Sequence, residues 1–186
     1  MTTVAAIAVD GAVYVAADSR TNVYERPIDD GARKIRRVTC TKGGELLLAF
    51  CGAGALADLV PAKLDVEALP AHDDDAQQWA AAIAWAVSDI AFDARLTDGG
   101  QMDGSILLAA TGRLWTLANY GAIPHPDGIA ALGSGEGPAI GVIDVLLELG
   151  ADDPAHVVRR AVAIACHRDR HSSPPIYLET IPAAAP

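Results

Sequence analysis

TTVAAIAVDGAVYVAADSR, residues 2–20, contains two short apolar runs, Thr3–Val9 and Ala12–Ala17, joined by Asp10-Gly11. Asp-Gly readily supplies the positive φ angles of a two-residue hairpin turn, so the stretch predicts an antiparallel β-hairpin. Asp18-Ser19-Arg20 then leads the chain into a polar loop over residues 18–33. The same grammar recurs downstream. Residues 35–39 and 45–50 read as strands around Lys42-Gly43-Gly44, and residues 105–110 and 114–118 as strands around Thr111-Gly112-Arg113. Further strands are expected over 129–132 and 176–181, and a Gly- and Asp-rich loop over 97–104.

Between these runs the period changes from two to about 3.6. Residues 55–66 read as a helix that Pro61 bends or delays. Asp73-Asp74-Asp75 offers a capping residue, and Trp79, Ile83, Ala86 and Ile90 follow at i, i+4, i+7 and i+11, a stripe for core or a subunit interface. A third helix is expected over 138–149, closed by Gly150, and a fourth from Asp152 or Asp153 with Pro154 to about His167. Strands, two helices, strands, two helices and a strand imply an α+β fold in four layers. It would be an αββα sandwich of two antiparallel sheets, each covered by its own helix pair. No linker or repeat divides residues 1–186, so a single domain is expected, with 182–186 as a loose tail.

Composition narrows the function. Fourteen Lys plus Arg against 24 Asp plus Glu give a net charge of −10, which disfavours a phosphate backbone as partner, and the arginine-rich pieces are short. The most apolar window, residues 79–96, carries Ser88, Asp89, Asp93 and Arg95, unlike a bilayer span. Cys40, Cys51 and Cys166 lie far apart and in odd number, which fits a reducing cytoplasm and neither a disulfide framework nor a zinc site. Gly133 to Gly137 before a helix lacks the lysine of a phosphate loop, and His167 and His171 lack the glutamate of a zinc-protease motif. No cofactor and no catalytic metal are expected.

Thr2 is the position with chemical promise. Only Met1 precedes it, and removal of Met1 from before a small residue leaves a hydroxyl and a free α-amine on one residue. An α-amine titrates at ~7.7–8.0, close to operating pH, so it can take the hydroxyl proton without a large shift. Asp18 after the second strand and Lys34 before the third would supply a nearby cation and its counter-ion.

These residues carry a resemblance. Thr2-Thr3-Val4 through Asp18-Ser19-Arg20, with Lys34-Ile35, resembles the opening of a proteasome β-subunit or of HslV, its bacterial relative. Phe50-Cys51-Gly52-Ala53-Gly54, Leu132-Gly133-Ser134-Gly135, Ala139 to Asp144, and Cys166 to Ser173 are similar to later segments of that family, so the likeness runs from residue 2 to about 181. It implies an N-terminal nucleophile hydrolase of threonine type. Thr2 would be nucleophile and, through its amine, base. Lys34 would lower the proton affinity of both, Asp18 would hold Lys34, and the Gly52 N–H would serve as oxyanion donor. Ser134, Asp169 and Ser172 would orient the amine, while Thr21, Asn22, Phe50 and Gly52 would line the substrate strand. It further implies a homo-oligomeric ring, possibly of stacked rings, a separate ring ATPase and a polypeptide substrate, with neither nucleic acid nor membrane as partner. A structural cation near Asp169 and Ser172, held by backbone carbonyls, stays open. So do two rival readings: an amidase or acylase of the same fold acting on small amides, and a non-catalytic ring or scaffold subunit. This chain departs from the family in two respects. Ser173-Pro174-Pro175 replaces the usual glycines and removes two N–H donors, and bulky Phe50 implies a shallow pocket for small or medium side chains.

Overall fold

The computed structural model describes residues 2–23 and 26–183. Met1, whose removal the sequence leads one to expect, and the last three residues of the expected tail lie outside the described residues. Among the described residues no helix is long and apolar enough to cross a membrane.

The opening hairpin forms as its sequence predicts. Strands β1 (Thr3–Val9) and β2 (Ala12–Ala17) pair antiparallel, with Val4 opposite Ala17 and Val9 opposite Ala12. Asp10 and Gly11 both take positive φ, +48° and +78°, in the turn. The polar loop that follows is not wholly irregular. It contains a small ribbon, β3 (Thr21–Val23) with β4 (Arg26–Asp29). Strands β5 (Ile35–Thr39) and β6 (Glu45–Gly52) form the second hairpin, the latter running two residues past its expected end.

Helix α1 (Leu56–Lys63) is shorter than expected and holds Pro61 within it. Helix α2 (Asp73–Asp93) has His72 at its N-cap without a side-chain bond, so the three aspartates do not cap. They occupy the first turn instead, where their charge opposes the positive end of the helix dipole. The expected loop over 97–104 contains a two-residue ribbon, β7 (Thr97–Asp98) with β8 (Gln101–Met102). The third hairpin, β9 (Gly104–Ala110) and β10 (Arg113–Ala118), continues into β11 (Gly121–Pro124), a strand the sequence reading omits. Strand β12 (Ile129–Gly133) leads into α3 (Glu136–Glu148). Asp153 caps α4 (Pro154–Arg168) by accepting from the His156 N–H at 3.1 Å, and β13 (Tyr177–Ile181) ends the sandwich.

The first sheet has the order β12-β1-β2-β13 and the second β11-β10-β9-β6-β5, with every neighbouring pair antiparallel. Side-chain parity stacks the layers. On β1, Val4 and Ala6 face the second sheet while Ala5 and Ile7 face α3 and α4. On β9, Leu107 and Ala109 face the first sheet while Ile106 and Leu108 face α1 and α2. Alanine is a poor strand former by propensity, but here the strand is buried on both faces. Ala5 and Ala6 leave room for a helix on one side and a sheet on the other. On α2 the buried stripe is Ala76, Ala80, Ile83, Ala84, Val87 and Ala91. It lies one position off the expected one, and Trp79 and Ile90 sit at its edge.

Leu107 is fully buried between the two sheets. Leu107→Ala should lower unfolding free energy by about 2–5 kcal/mol, measured by chemical denaturation with the slope on denaturant unchanged.

Candidate active site

Strand pairing brings the chemistry to one edge of the sandwich. Thr3 pairs with Gly133 on β12 and Val4 with Ala17 on β2, so Thr2, Asp18 and Ser134 all emerge where these strands end. Tyr177 pairs with Ala17 on the other side, which brings the segment before β13 to the same edge. From the second sheet come Lys34, just before β5, and Gly52, at the end of β6. Thr2 is 4% exposed and lies in a cleft of ≈ 300 Å³ that Thr21, Asn22, Lys34, Phe50 and Gly52 also line.

Asp18 is fully buried and both its oxygens are occupied. Oδ1 accepts from Lys34 Nζ at 2.7 Å and from the Thr3 N–H at 2.9 Å. Oδ2 accepts from the N–H groups of Arg20 at 3.0 Å and Ser173 at 3.2 Å. The Lys34–Asp18 ion pair crosses from one sheet to the other. A buried ammonium without such a partner would be costly; with it, the charge is held within the cleft that Thr2 also lines.

A second network surrounds Asp169. Its Oδ2 accepts from the hydroxyls of Ser134 at 2.6 Å and Ser172 at 2.7 Å, and its Oδ1 from the His171 N–H at 3.1 Å. Burial alone would raise this carboxyl, but the Ser134 and Ser172 hydroxyls and the His171 N–H together hold it below the ordinary carboxylate range. Ser172 Oγ lies 2.8 Å from Thr3 Oγ1. With its one hydrogen given to Asp169, Ser172 accepts from Thr3.

Glycines let the backbone close in around Thr2. Gly133 has φ +94°, and a Cβ there would overlap the Thr2 carbonyl oxygen; one at Gly135 would overlap Thr3 Oγ1. The Thr2 carbonyl accepts from the Gly135 N–H at 3.4 Å. Gly52, φ +108°, pairs with Gly104, and a Cβ at either would collide with the other strand's backbone. Only glycine permits this turn at the cleft wall.

The structure therefore brings together Thr2, Asp18, Lys34 and Gly52, and gathers Ser134, Asp169 and Ser172 in a linked hydroxyl network at the same edge. Phe50 lines the cleft with its ring buried against α1 and α2. Asn22 turns its side chain to the loop before β13, donating to the His171 carbonyl at 2.9 Å. His167 ends α4 in solvent while His171 is buried in the following loop, so the two do not share a helix face. Three contributors escape the sequence reading. Thr3 joins both networks, and Ser173 gives Asp18 an N–H although the two prolines after it have none. Arg20 bonds Asp30 at 2.9 Å and the Arg170 carbonyl at 3.1 Å, which fastens the 18–33 segment to the loop before β13. Thr3 and Arg20 stand in the quoted motif, but their partners lie up to 169 residues away, where no local spacing points to them.

Two thiols lie near the site and are chemically quiet. Burial pushes the Cys51 thiol up, with Lys34 opposing. Burial, reinforced by Asp18, pushes Cys166 up to about 12. Cys40 is raised by burial as well. A nucleophilic thiol needs a depressed pKa, so these cysteines do not compete with Thr2.

No protein-family model matches the chain. It is 29% identical over 167 residues to the ATP-dependent protease subunit HslV of Paramagnetospirillum magneticum, covering 88% of this chain and 85% of that protein. It is 28% identical over 174 residues to the HslV of Caulobacter vibrioides, with the same coverage. The structure of Thiobacillus denitrificans BPH in complex with epoxomicin superposes with a TM-score of 0.81 at 19% identity, over 99% of this chain and 100% of that one.

Two outcomes check this geometry. At neutral pH an alkylating reagent should modify the three cysteines of the folded protein at least about tenfold more slowly than those of the denatured chain, followed by intact mass. Asp169 is depressed in the folded state, so its contribution to stability is complete above the ordinary carboxyl range and lost as pH falls through its folded value. The stability difference between wild type and Asp169→Asn should thus be constant above about pH 5 and shrink below it, in denaturation curves taken across pH. The chain is thus similar over most of its length to HslV protease subunits, and its four-layer fold matches that of Thiobacillus denitrificans BPH.

Proposed function

We propose that the protein is an N-terminal threonine peptidase that hydrolyses peptide bonds through an acyl-enzyme on Thr2. The observation that carries this reading is the placement of Thr2 in the cleft with Lys34 and Gly52, beside an ammonium that Asp18 neutralises at 2.7 Å. Removal of Met1 exposes the amine of Thr2. That amine takes the proton from Oγ as Oγ bonds to the substrate carbonyl carbon. The Gly52 N–H steadies the oxygen that gains charge. The ammonium of Thr2 then gives its proton to the departing amine nitrogen as the C–N bond breaks. Water attacks the resulting ester, loses a proton to the amine and frees Thr2 as the carboxylic product leaves. Lys34 favours the charged oxygen throughout, and Ser134, Asp169 and Ser172 orient the amine. Thr21 and Asn22 lie along the cleft where the substrate strand passes.

Every group in this cycle comes from the chain, so it needs no cofactor. The HslV relatives are named ATP-dependent protease subunits, which favours a peptidase over a small-amide acylase or a non-catalytic scaffold. The same naming, as subunits of an ATP-dependent protease, supports an oligomeric assembly served by an ATPase, with polypeptide as substrate; a homo-oligomeric ring in the cytoplasm belongs to the same proposal.

Intact mass of the purified protein, with and without a threonine-directed electrophile such as epoxomicin, tests the reading. The expected result is loss of Met1 and a single adduct, with both adduct and peptide hydrolysis abolished in Thr2→Ala. Hydrolysis that survives Thr2→Ala would overturn it. Lys34→Ala should also abolish turnover, but it leaves Asp18 as an uncompensated buried charge at a cost of about 3–5 kcal/mol. Its activity must be read against the folded fraction.

A further inference from the structure

The cleft beside Thr2 carries an uneven set of charges. Among the described residues, Arg20, Arg33, Lys34 and Arg36 line it against the one carboxylate of Asp58, in a chain whose net charge is −10. Two of the four cations are committed: Lys34 to Asp18, and Arg20 to Asp30 at 2.9 Å. Arg33 lies over the Tyr177 ring, 3.8 Å from its centroid, and has no carboxylate partner among the described residues. Arg36 donates to the Arg33 carbonyl and, at 3.0 Å, to Asp58 Oδ1.

We propose that this cleft selects a glutamate or aspartate side chain on the acyl side of the scissile bond, with Arg36 as its anchor. The inference rests on the threonine-peptidase reading and adds the class of side chain that the site prefers. Lys34, just before β5, reaches Asp18 on the first sheet, whereas Arg36, within β5, reaches Asp58 on α1, and both line the cleft. A side chain adjoining a carbonyl held at Thr2 enters a cleft that carries Arg36 on its α1 side. The Arg36–Asp58 pair joins unlike partners: the arginine side chain is 30% exposed, the aspartate 79%. A substrate carboxylate that replaces Asp58 on Arg36 keeps the guanidinium paired, and Asp58 returns to water from which it is barely removed. Replacement is an exchange, with little desolvation to oppose it. The planar fork of arginine also suits a carboxylate better than a neutral amide. A cationic side chain reaches Asp58 only by displacing Arg36, and it then shares the cleft with all four cations. A large aromatic side chain meets Phe50, whose buried ring closes the floor.

The test uses the assembled protein and four fluorogenic peptides that differ only in the acyl-side residue: Glu, Gln, Leu or Lys. Glu and Gln share a shape, so their ratio isolates charge. The expected kcat/KM for Glu exceeds that for Gln by about tenfold or more, and Lys is the poorest of the four. Arg36→Glu should bring the Glu-to-Gln ratio below one and raise Lys above Glu. Asp58→Asn, at an exposed surface position, should raise the Glu-to-Gln ratio and guards against a misfolded Arg36 variant. A wild-type ratio of one or less, or ratios unmoved by both substitutions, would overturn the inference. If a threonine-directed electrophile still labels Thr2 in that case, the peptidase reading stands and only the preference fails. If nothing labels Thr2, both fail together.

Discussion

The carboxylate of Asp18 accepts four donors from four separate segments: Thr3, Arg20, Lys34 and Ser173. It is fully buried, so each missing donor would leave a charge or a lone pair without water to replace it. The arrangement makes one side chain responsible for several placements at once. It fixes Thr3 next to Thr2, the cation in the cleft, the start of the 18–33 segment and the loop before β13. Because Lys34 belongs to the second sheet and Asp18 to the first, the same contact also sets the separation of the sheets at the cleft. The sheets are packed elsewhere by apolar side chains that tolerate some sliding. A charged hydrogen bond of 2.7 Å does not.

The fold serves this contact through its strand ends. In an antiparallel sheet, hairpins return the chain to the same edge, so residues distant in sequence leave the sheet side by side. Thr2 precedes β1, Asp18 follows β2, Ser134 follows β12 and the loop holding Ser172 precedes β13. All four positions lie at one edge because β12, β1, β2 and β13 are neighbours in that order. Backbone then has to come close enough for amides to reach carboxylates, and Gly133, Gly135, Gly52 and Gly104 stand where a side chain would hold it off.

Much of this was legible in residues 2–20. The two β-branched, alanine-rich runs and Asp10-Gly11 specify β1 and β2 to the residue, and Pro154 after Asp153 marks the start of α4. Recognition of the family motifs supplied Thr2, Asp18, Lys34, Gly52, Ser134, Asp169 and Ser172. The small ribbons β3–β4 and β7–β8 were not legible, since strands of two to four residues with little burial carry too short a pattern to stand out from loop. Strand β11 was missed for a related reason. Gly121-Ala122-Ile123-Pro124 has poor strand composition, and its pairing with β10 at the sheet edge comes from tertiary context. On α2 the conspicuous residues misled. Tryptophan and isoleucine drew the stripe toward Trp79 and Ile90, whereas the buried stripe runs mainly through Ala76, Ala80, Ala84 and Ala91, with Ile83 and Val87 among them.

Thr3 shows why a motif can be read correctly and still be understood only in part. Its N–H binds Asp18 and its hydroxyl reaches Ser172, which in turn binds Asp169. Asp18 and Asp169 do different work: one balances an ammonium, and the other accepts neutral hydroxyls and an amide. They come from opposite ends of the sequence and share no direct bond in the hydrogen-bond network around them. Thr3 joins them. A rotation of Thr3 that improved its bond to one carboxylate would strain its link to the other, so the backbone from which Thr2 projects has a single comfortable setting. The β1–β2 and β1–β12 ladders reinforce that setting from both sides, with Asp18 N–H donating to the Thr3 carbonyl at 3.1 Å and Gly133 opposite Thr3. Orientation of Thr2 is thus a property of its neighbour's two hydrogen bonds, each anchored in a different part of the fold.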